Sequence, residues 1–129
     1  CRVPLNLGLD FLWHGQNQAA LDKISSWFVK KTYGRPDLIV DGYQLDGREV
    51  GRYNNAAFVG PLAVAARCSP KYQVWLDALY EQLVNFETGG RFGYYNDTIR
   101  LISLLMLGNN FPNLWPEKEE LEQEDWLKI

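Results

Sequence analysis

A chain of 129 residues, 47% hydrophobic and 22% charged, has the length and apolar content of one globular domain, and this excludes an intrinsically disordered polymer. Thirteen Lys and Arg against sixteen Asp and Glu leave a net charge of −3. Residues 117–129 hold six acids and two lysines, so the remainder stands at +1. Such a near-neutral body lacks the basic patch that grips phosphate backbones, and no nucleic acid partner is expected.

The elements read as alternating helices and loops. Leu5, Leu9, Leu12 and Trp13 recur at helical spacing over 3–13, and His14-Gly15 closes that helix. Ala20, Leu21, Ile24, Trp27 and Phe28 predict a second helix over 16–32, with Lys30 and Lys31 in its last turn and Gly34 as a stop. Two helices joined by a tight turn form an antiparallel hairpin. Residues 35–55 change texture: Leu38-Ile39-Val40 reads as a short extended run, and Asp41-Gly42, Asp46-Gly47 and Gly51 supply turn signals. A small hairpin around 43–45 is expected within this long loop, and loops of ~20 residues in compact domains are usually functional.

Small residues (Ala56, Ala57, Gly60, Ala63, Ala65, Ala66) dominate the helix expected over 56–67, which marks it for close packing inside a helical assembly. Ser69 as N-cap and Pro70 at the first position open the next helix. Its apolar face is read as Val74, Trp75, Ala78, Leu79, Leu83 and Phe86. A last helix begins near Asn96, carries Ile99, Leu101, Ile102, Leu104, Leu105 and Leu107, and stops at Gly108-Asn109-Asn110 before Phe111-Pro112. The fold class is therefore all-α, five helices in pairs. Residues 113–129 form an acidic C-terminal tail.

No run approaches the ~18 apolar residues of a membrane span; the best, 101–107, is interrupted by Ser103, so no membrane partner is expected. The chain opens on Cys1-Arg2-Val3-Pro4 with neither a Met nor an apolar leader, which suggests a cut or trimmed terminus. Cys1 and Cys68 are too few for a disulfide framework and too far apart for a metal knuckle. With one His in the chain, no metal site is expected.

Three separated blocks carry a family resemblance. Arg2-Val3-Pro4-Leu5, followed by Leu9-Asp10-Phe11-Leu12-Trp13-His14-Gly15, resembles a helix of glycoside hydrolase family 8 that reads roughly R-x-P-x-R, then D-Y-x-W-x-G. Asp41-Gly42-Tyr43-Gln44-Leu45-Asp46-Gly47, then Asn55-Ala56-Ala57-Phe58-Val59-Gly60-Pro61, is similar to that family's loop and following helix. Tyr94-Tyr95-Asn96-Asp97-Thr98-Ile99-Arg100-Leu101 through Gly108-Asn109-Asn110-Phe111 is similar to its closing helix. One departure is Asn6, where the family often has a second arginine; Asn cannot form Arg's bidentate pair with a carboxylate.

The resemblance implies that residues 1–112 are the C-terminal portion of an (α/α)6 barrel of endo-acting, inverting β-glycanases. It implies hydrolysis of a β-glycan polysaccharide or oligosaccharide without metal or cofactor, in an extracellular or periplasmic setting. In the family, a Glu on an N-terminal helix is the general acid, and the base is in many members an Asp a few residues before the arginine aligned with Arg2. Neither segment lies in this chain. Inversion needs two carboxyls ~6.5–9.5 Å apart with water held at one of them. The expected partner is therefore an N-terminal portion of the same fold, or a second copy in a homo-oligomer, because half a barrel exposes apolar flanks.

Candidate residues follow. Arg2 would orient the neighbouring base, against the alternative of a solvated terminal Arg. Tyr43, Tyr53, Tyr94 and Tyr95 are candidates for stacking on sugars, against ordinary packing. Asp10, mid-helix among apolar residues, is a general-acid candidate or a structural hydrogen-bonding group. Asp41 and Asp46 read as turn residues, His14 as a helix-end cation, and Trp13, Trp27 and Trp75 as packing. Arg2, the 41–55 loop and Tyr94-Tyr95 all stand at helix N-termini, and would gather at one face if those helices run parallel. Alternatives to the hydrolase are a non-catalytic carbohydrate-binding or structural module, and a helical interaction unit whose acidic tail binds a basic partner.

Overall fold

The computed structural model describes residues 1–115, and its helices are arranged around one of them. Helix α1 spans Arg2–His14, α2 Gln18–Lys31, α3 Ala56–Arg67, α4 Gln73–Asn85 and α5 Gly93–Leu107. Helix α3 is the hub: ten of its twelve residues are buried, so it has no solvent face. Its small side chains make this possible. A Cβ added at Gly60 would lie 2.5 Å from Ser103 Oγ on α5, and one added at Gly8 of α1 would lie 2.5 Å from Val64 Cγ1 on α3. Each glycine is therefore a backbone-to-side-chain contact point between helices.

The helix directions follow from the contacts at their ends. Cys1 Sγ lies 3.2 Å from the Tyr95 hydroxyl, joining the N-terminal ends of α1 and α5. At the opposite end, Trp13 Nε1 donates to the Phe111 carbonyl at 2.9 Å, and the two rings stack 6.1 Å apart. There too, Arg67, closing α3, donates to the Asn109 side chain just past α5. Helices α1, α3 and α5 thus run parallel. The other two run back: Gln18 of α2 reaches the Cys68 carbonyl beyond the end of α3, and Gln82 of α4 reaches Asn54 before its start. Lys71 and Asp22 pair at 2.7 Å near the starting ends of α4 and α2. The result is an all-α, two-layer array, α1-α3-α5 in one direction and α2-α4 in the other.

The buried core divides along this plan. On one side, Val59, Leu62, Ala63 and Ala66 of α3 meet Trp75, Leu79 and Leu83 of α4, with Ile24, Phe28 and Val29 of α2 at the margin. On the other, Ala57 and Val64 meet Leu5 of α1 with Ile99 and Met106 of α5. Turn chemistry sets the boundaries. Gly15 takes a left-handed φ of 70° and donates its N–H to the Phe11 carbonyl; Asn55 caps α3 by accepting the Phe58 N–H at 3.2 Å.

Several expectations are corrected. The 38–40 segment is not a simple extended run: Pro36–Leu38 is a 3-10 turn, the proline's fixed φ favouring tight winding, and the fully buried Ile39 follows it in extended form. Pro70–Tyr72 is likewise a 3-10 turn, so α4 starts only at Gln73, and the Ser69 side chain makes no capping bond. Val74 is 85% exposed and is off the core face of α4, which consists of Trp75, Leu79 and Leu83, and Leu101 of α5 is likewise exposed, because it points away from α3. Helix α5 begins at Gly93, so Tyr94 and Tyr95 lie in its first turn rather than before it. Trp27 stands at the rim of the core, its ring edge-on to Phe28 and Tyr43. Most of the 113–129 tail, residues 116–129, lies outside the described residues.

Two outcomes test this packing. Gly60→Ala adds a methyl where Ser103 already sits, and overpacking costs about 1–3 kcal/mol against the roughly 1 kcal/mol that Ala gains over Gly in a helix. We expect a lower urea midpoint; an unchanged or raised one would show that α5 yields freely. The second concerns Cys68, whose thiol donates to the Val64 carbonyl at 3.3 Å and whose pKa burial pushes up from 9.0 to about 11. Between these values the unfolded chain releases a proton that the folded chain keeps, so stability falls as pH rises through that window. Cys68→Ala should flatten the decline, measured as urea midpoint against pH.

Candidate functional site

The end at which α1, α3 and α5 begin gathers partial positive charge from three helix N-termini. Arg2 is exposed in the first turn of α1, and the Cys1–Tyr95 contact places it beside the first turn of α5. Tyr94 is 92% exposed and Tyr95 47%, both presenting ring surface to solvent. The long loop arrives at the same end, since it runs from the C-terminal end of α2 to the cap of α3 at Asn55. Arg2, Tyr53, Tyr94 and Tyr95 are therefore at one end of the array, as the parallel reading of these helices requires.

The loop is built on its own hydrogen bonds. Asp41 Oδ1 accepts the backbone N–H of Arg52 at 2.9 Å and of Tyr53 at 3.1 Å, closing the base. Tyr43 and Glu49 pair as an antiparallel bridge around a turn at Gly47, φ 87°, so the expected small hairpin is present in wider form. Below it, the Asn54 amide donates to the Pro36 and Ile39 carbonyls, each at 2.8 Å, and its oxygen accepts from Gln82. Tyr53 emerges from this frame 71% exposed.

Tyr43 is placed differently. Its ring sits edge-on to Trp27 and Phe28 of α2, and its hydroxyl accepts the Val40 N–H at 2.9 Å. Burial raises its pKa, while the Val40 bond acts in the opposite direction. It fastens the loop to the outer layer rather than standing beside Tyr95. Asp10 is about 12 Å along α1 from Arg2, at 1.5 Å per residue. It accepts a hydrogen bond from the Asn17 side chain, tying α1 to the turn that opens α2. Asp97, in the second turn of α5, accepts the Gly89 N–H at 2.7 Å. Among the described residues, no group of three His, Cys, Asp or Glu is placed to hold a metal.

Phe92 was missed by sequence reasoning. It is 67% exposed immediately before α5, with the Arg91 guanidinium 5.4 Å over its ring. A signal was available, since Arg91-Phe92 directly precedes the two tyrosines; reading the helix as starting at Asn96 left it in an unassigned loop. Together Tyr53, Phe92, Tyr94 and Tyr95 form an aromatic rim with cationic side chains, suited to neutral polyhydroxylated ligands whose C–H faces stack on rings.

No family model matches the chain. Among curated proteins it is 31% identical, over 99% of its length, to a protein named endoglucanase from Bacillus sp. (strain KSM-330). It is 32% identical over 86% of its length to a beta-glucanase of Niallia circulans, and 32% identical over 87% to endoglucanase A of Acetivibrio thermocellus. Among solved structures, it superposes on the apo beta-1,3-1,4-glucanase from Paenibacillus sp. X4 with a TM-score of 0.81 at 31% identity, covering 88% of this chain. These likenesses support a relation to glycoside hydrolases. The chain spans 27% of each of the first two relatives, 23% of the third and 30% of the solved chain.

One local outcome tests the loop frame. Asp41→Ala leaves the Arg52 and Tyr53 amides without their charged acceptor, whose hydrogen bonds are worth about 1.5–3 kcal/mol. Exchange at those two amides should accelerate at least tenfold while α3 amides stay unchanged. Unaltered exchange would mean that Asp41 does not hold the loop.

Proposed function

We propose that the chain is the C-terminal portion of the catalytic domain of an inverting endo-β-1,4-glucanase of glycoside hydrolase family 8, acting outside the cytoplasm. The single observation that carries this reading is the likeness to glucanases over nearly the whole chain. The (α/α) alternation of helix direction, with exposed aromatics at one end, supports it.

The chemistry assigns this segment a binding and positioning role. In inversion, one carboxylic acid protonates the glycosidic oxygen as the C–O bond breaks. A carboxylate on the opposite face takes a proton from the water that attacks the anomeric carbon. On this reading both carboxyls come from chain outside 1–129. Arg2, at the positive end of α1, holds the base ionised and oriented, and no cofactor takes part. Tyr53, Tyr94 and Tyr95 bind the glucan by stacking, each worth on the order of 1 kcal/mol beyond area burial by analogy with aromatic pairs. The functional unit is completed by an N-terminal portion of the same fold or by a second copy.

A second reading, a non-catalytic glycan-binding or structural module, draws support from the carboxylates themselves: Asp10, Asp41 and Asp97 all make structural hydrogen bonds. One set of assays separates the two. The chain alone should release no reducing sugar from carboxymethyl cellulose or lichenan. Adding the missing N-terminal portion, taken from the parent protein, should generate activity that Arg2→Ala lowers in kcat. Hydrolysis by the chain alone, abolished by Asp10→Asn, would overturn the proposed division of labour. An assembled but inactive complex that still binds cello-oligosaccharides, about fivefold more weakly after Tyr95→Ala by the stacking estimate, would favour the binding module.

A further inference from the structure

Helix α2 ends on a residue type that its backbone does not favour. Thr32 seals the last turn: it is buried, and its hydroxyl donates to the Phe28 carbonyl at 2.8 Å. Tyr33 and Gly34 then both turn left-handed, at φ 54° and 70°, and the Gly34 N–H returns to the Val29 carbonyl at 2.9 Å. Glycine or asparagine suits such a position, because an L side chain there crowds the following carbonyl. Position 33 carries a tyrosine instead, and it is 86% exposed, so packing does not hold its ring. The chain accepts backbone strain here to set a ring in water, and strain without a packing reward marks functional positions.

Tyr33 stands in the wall of a cleft of about 430 Å³, a volume within the range of small-ligand sites. Four charged side chains line that cleft, Lys31 and Arg52 against Asp37 and Glu49, so their charges cancel. Lys31 lies 3.5 Å from Glu49, and Arg35 holds Asp37 at 2.7 Å. Balanced charge selects neither a polyanion nor a polycation. Donors and acceptors side by side, next to a ring, suit a neutral polyhydroxylated ligand. The floor is fixed, since Asn54 is bonded to Pro36, Ile39 and Gln82. Arg52 leads directly into Tyr53, and Asp41 holds the amides of both. Helix α2 ends where α3 begins, so the cleft lies at the same end of the array as the aromatic rim and meets it at Tyr53. We propose that this cleft is an additional glucan-binding subsite, where Tyr33 stacks on a sugar and Lys31, Glu49 and Arg52 bond its hydroxyls. It takes the stretch of polysaccharide next to the one held by Tyr53, and thus rests on the glucan-binding reading proposed above.

The test is a titration of the full chain with cellotetraose, followed through amide chemical shifts. The amides of Tyr33, Val40 and Arg52 should move with this sugar and stay still with maltotetraose. Tyr33→Gly removes the ring and relieves the turn. It should raise the urea midpoint, yet weaken binding at the cleft about fivefold by the stacking estimate, while the shifts at Tyr94 and Tyr95 persist. Tyr33→Phe, which keeps the ring, should keep the affinity. Full affinity in Tyr33→Gly, or shifts confined to Tyr94 and Tyr95 in the unaltered chain, would overturn the subsite and leave the glucan reading standing. No shift at the cleft or at the rim would overturn the subsite together with the binding role of the rim. An equal response to maltotetraose at the cleft would overturn the subsite as one for β-glucan.

Discussion

The approach of α1 and α5 to α3 is the constraint on which the other features depend. Two helices come close enough for a glycine on one to touch a side chain on the other at Gly8–Val64 and at Gly60–Ser103. Because α3 is slim, it can be enclosed by α1, α5, α2 and α4 at once, and its own burial leaves no face for water. Once α1 and α5 are both packed along α3 in the same direction, their first turns are neighbours. The Cys1–Tyr95 contact and the aromatic rim follow from that alignment rather than from any local sequence signal.

This explains why an end of the molecule, rather than a face, carries the candidate chemistry. Parallel helices stack their N-terminal dipoles at one end, and the loop that caps α3 is forced to arrive there. The opposite end is held by different means: a tryptophan–phenylalanine stack, an arginine–asparagine hydrogen bond and the αL turn at Gly15. The two ends thus differ in kind, one exposing rings and the other stacking two half-buried ones on each other.

Much of this was legible in the sequence. The alanine-rich run marked α3 with its observed bounds, and the 3.6-residue pattern found all five helices. Tertiary override explains most of the misreadings. Val74 matches the apolar pattern, yet α4 is rotated to set Trp75, Leu79 and Leu83 on α3, which leaves Val74 in water. The start of α5 was placed late because glycine and aromatics are poor helix formers in isolation, although Gly93 is buried and its turn is supported by Asn96 bonding back to Phe92. Tyr43 and Tyr53 look alike in sequence; only the position of Trp27, supplied by a different helix, makes one a wedge and leaves the other exposed.

The base of the long loop has an evolutionary consequence. Asp41 holds both Arg52 and Tyr53, and Asn54 fastens the strand beneath them to Pro36, Ile39 and Gln82, so the ten residues 42–51 hang from a closed neck. Lengthening a loop whose ends are already fixed costs little, about 0.6 kcal/mol for each doubling. Insertions or deletions there leave α3 and its cap untouched. The tip between Tyr43 and Glu49 can thus change in length at small cost, while Tyr43 against Trp27 and Phe28, and Glu49 beside Lys31, keep the loop seated on the helices.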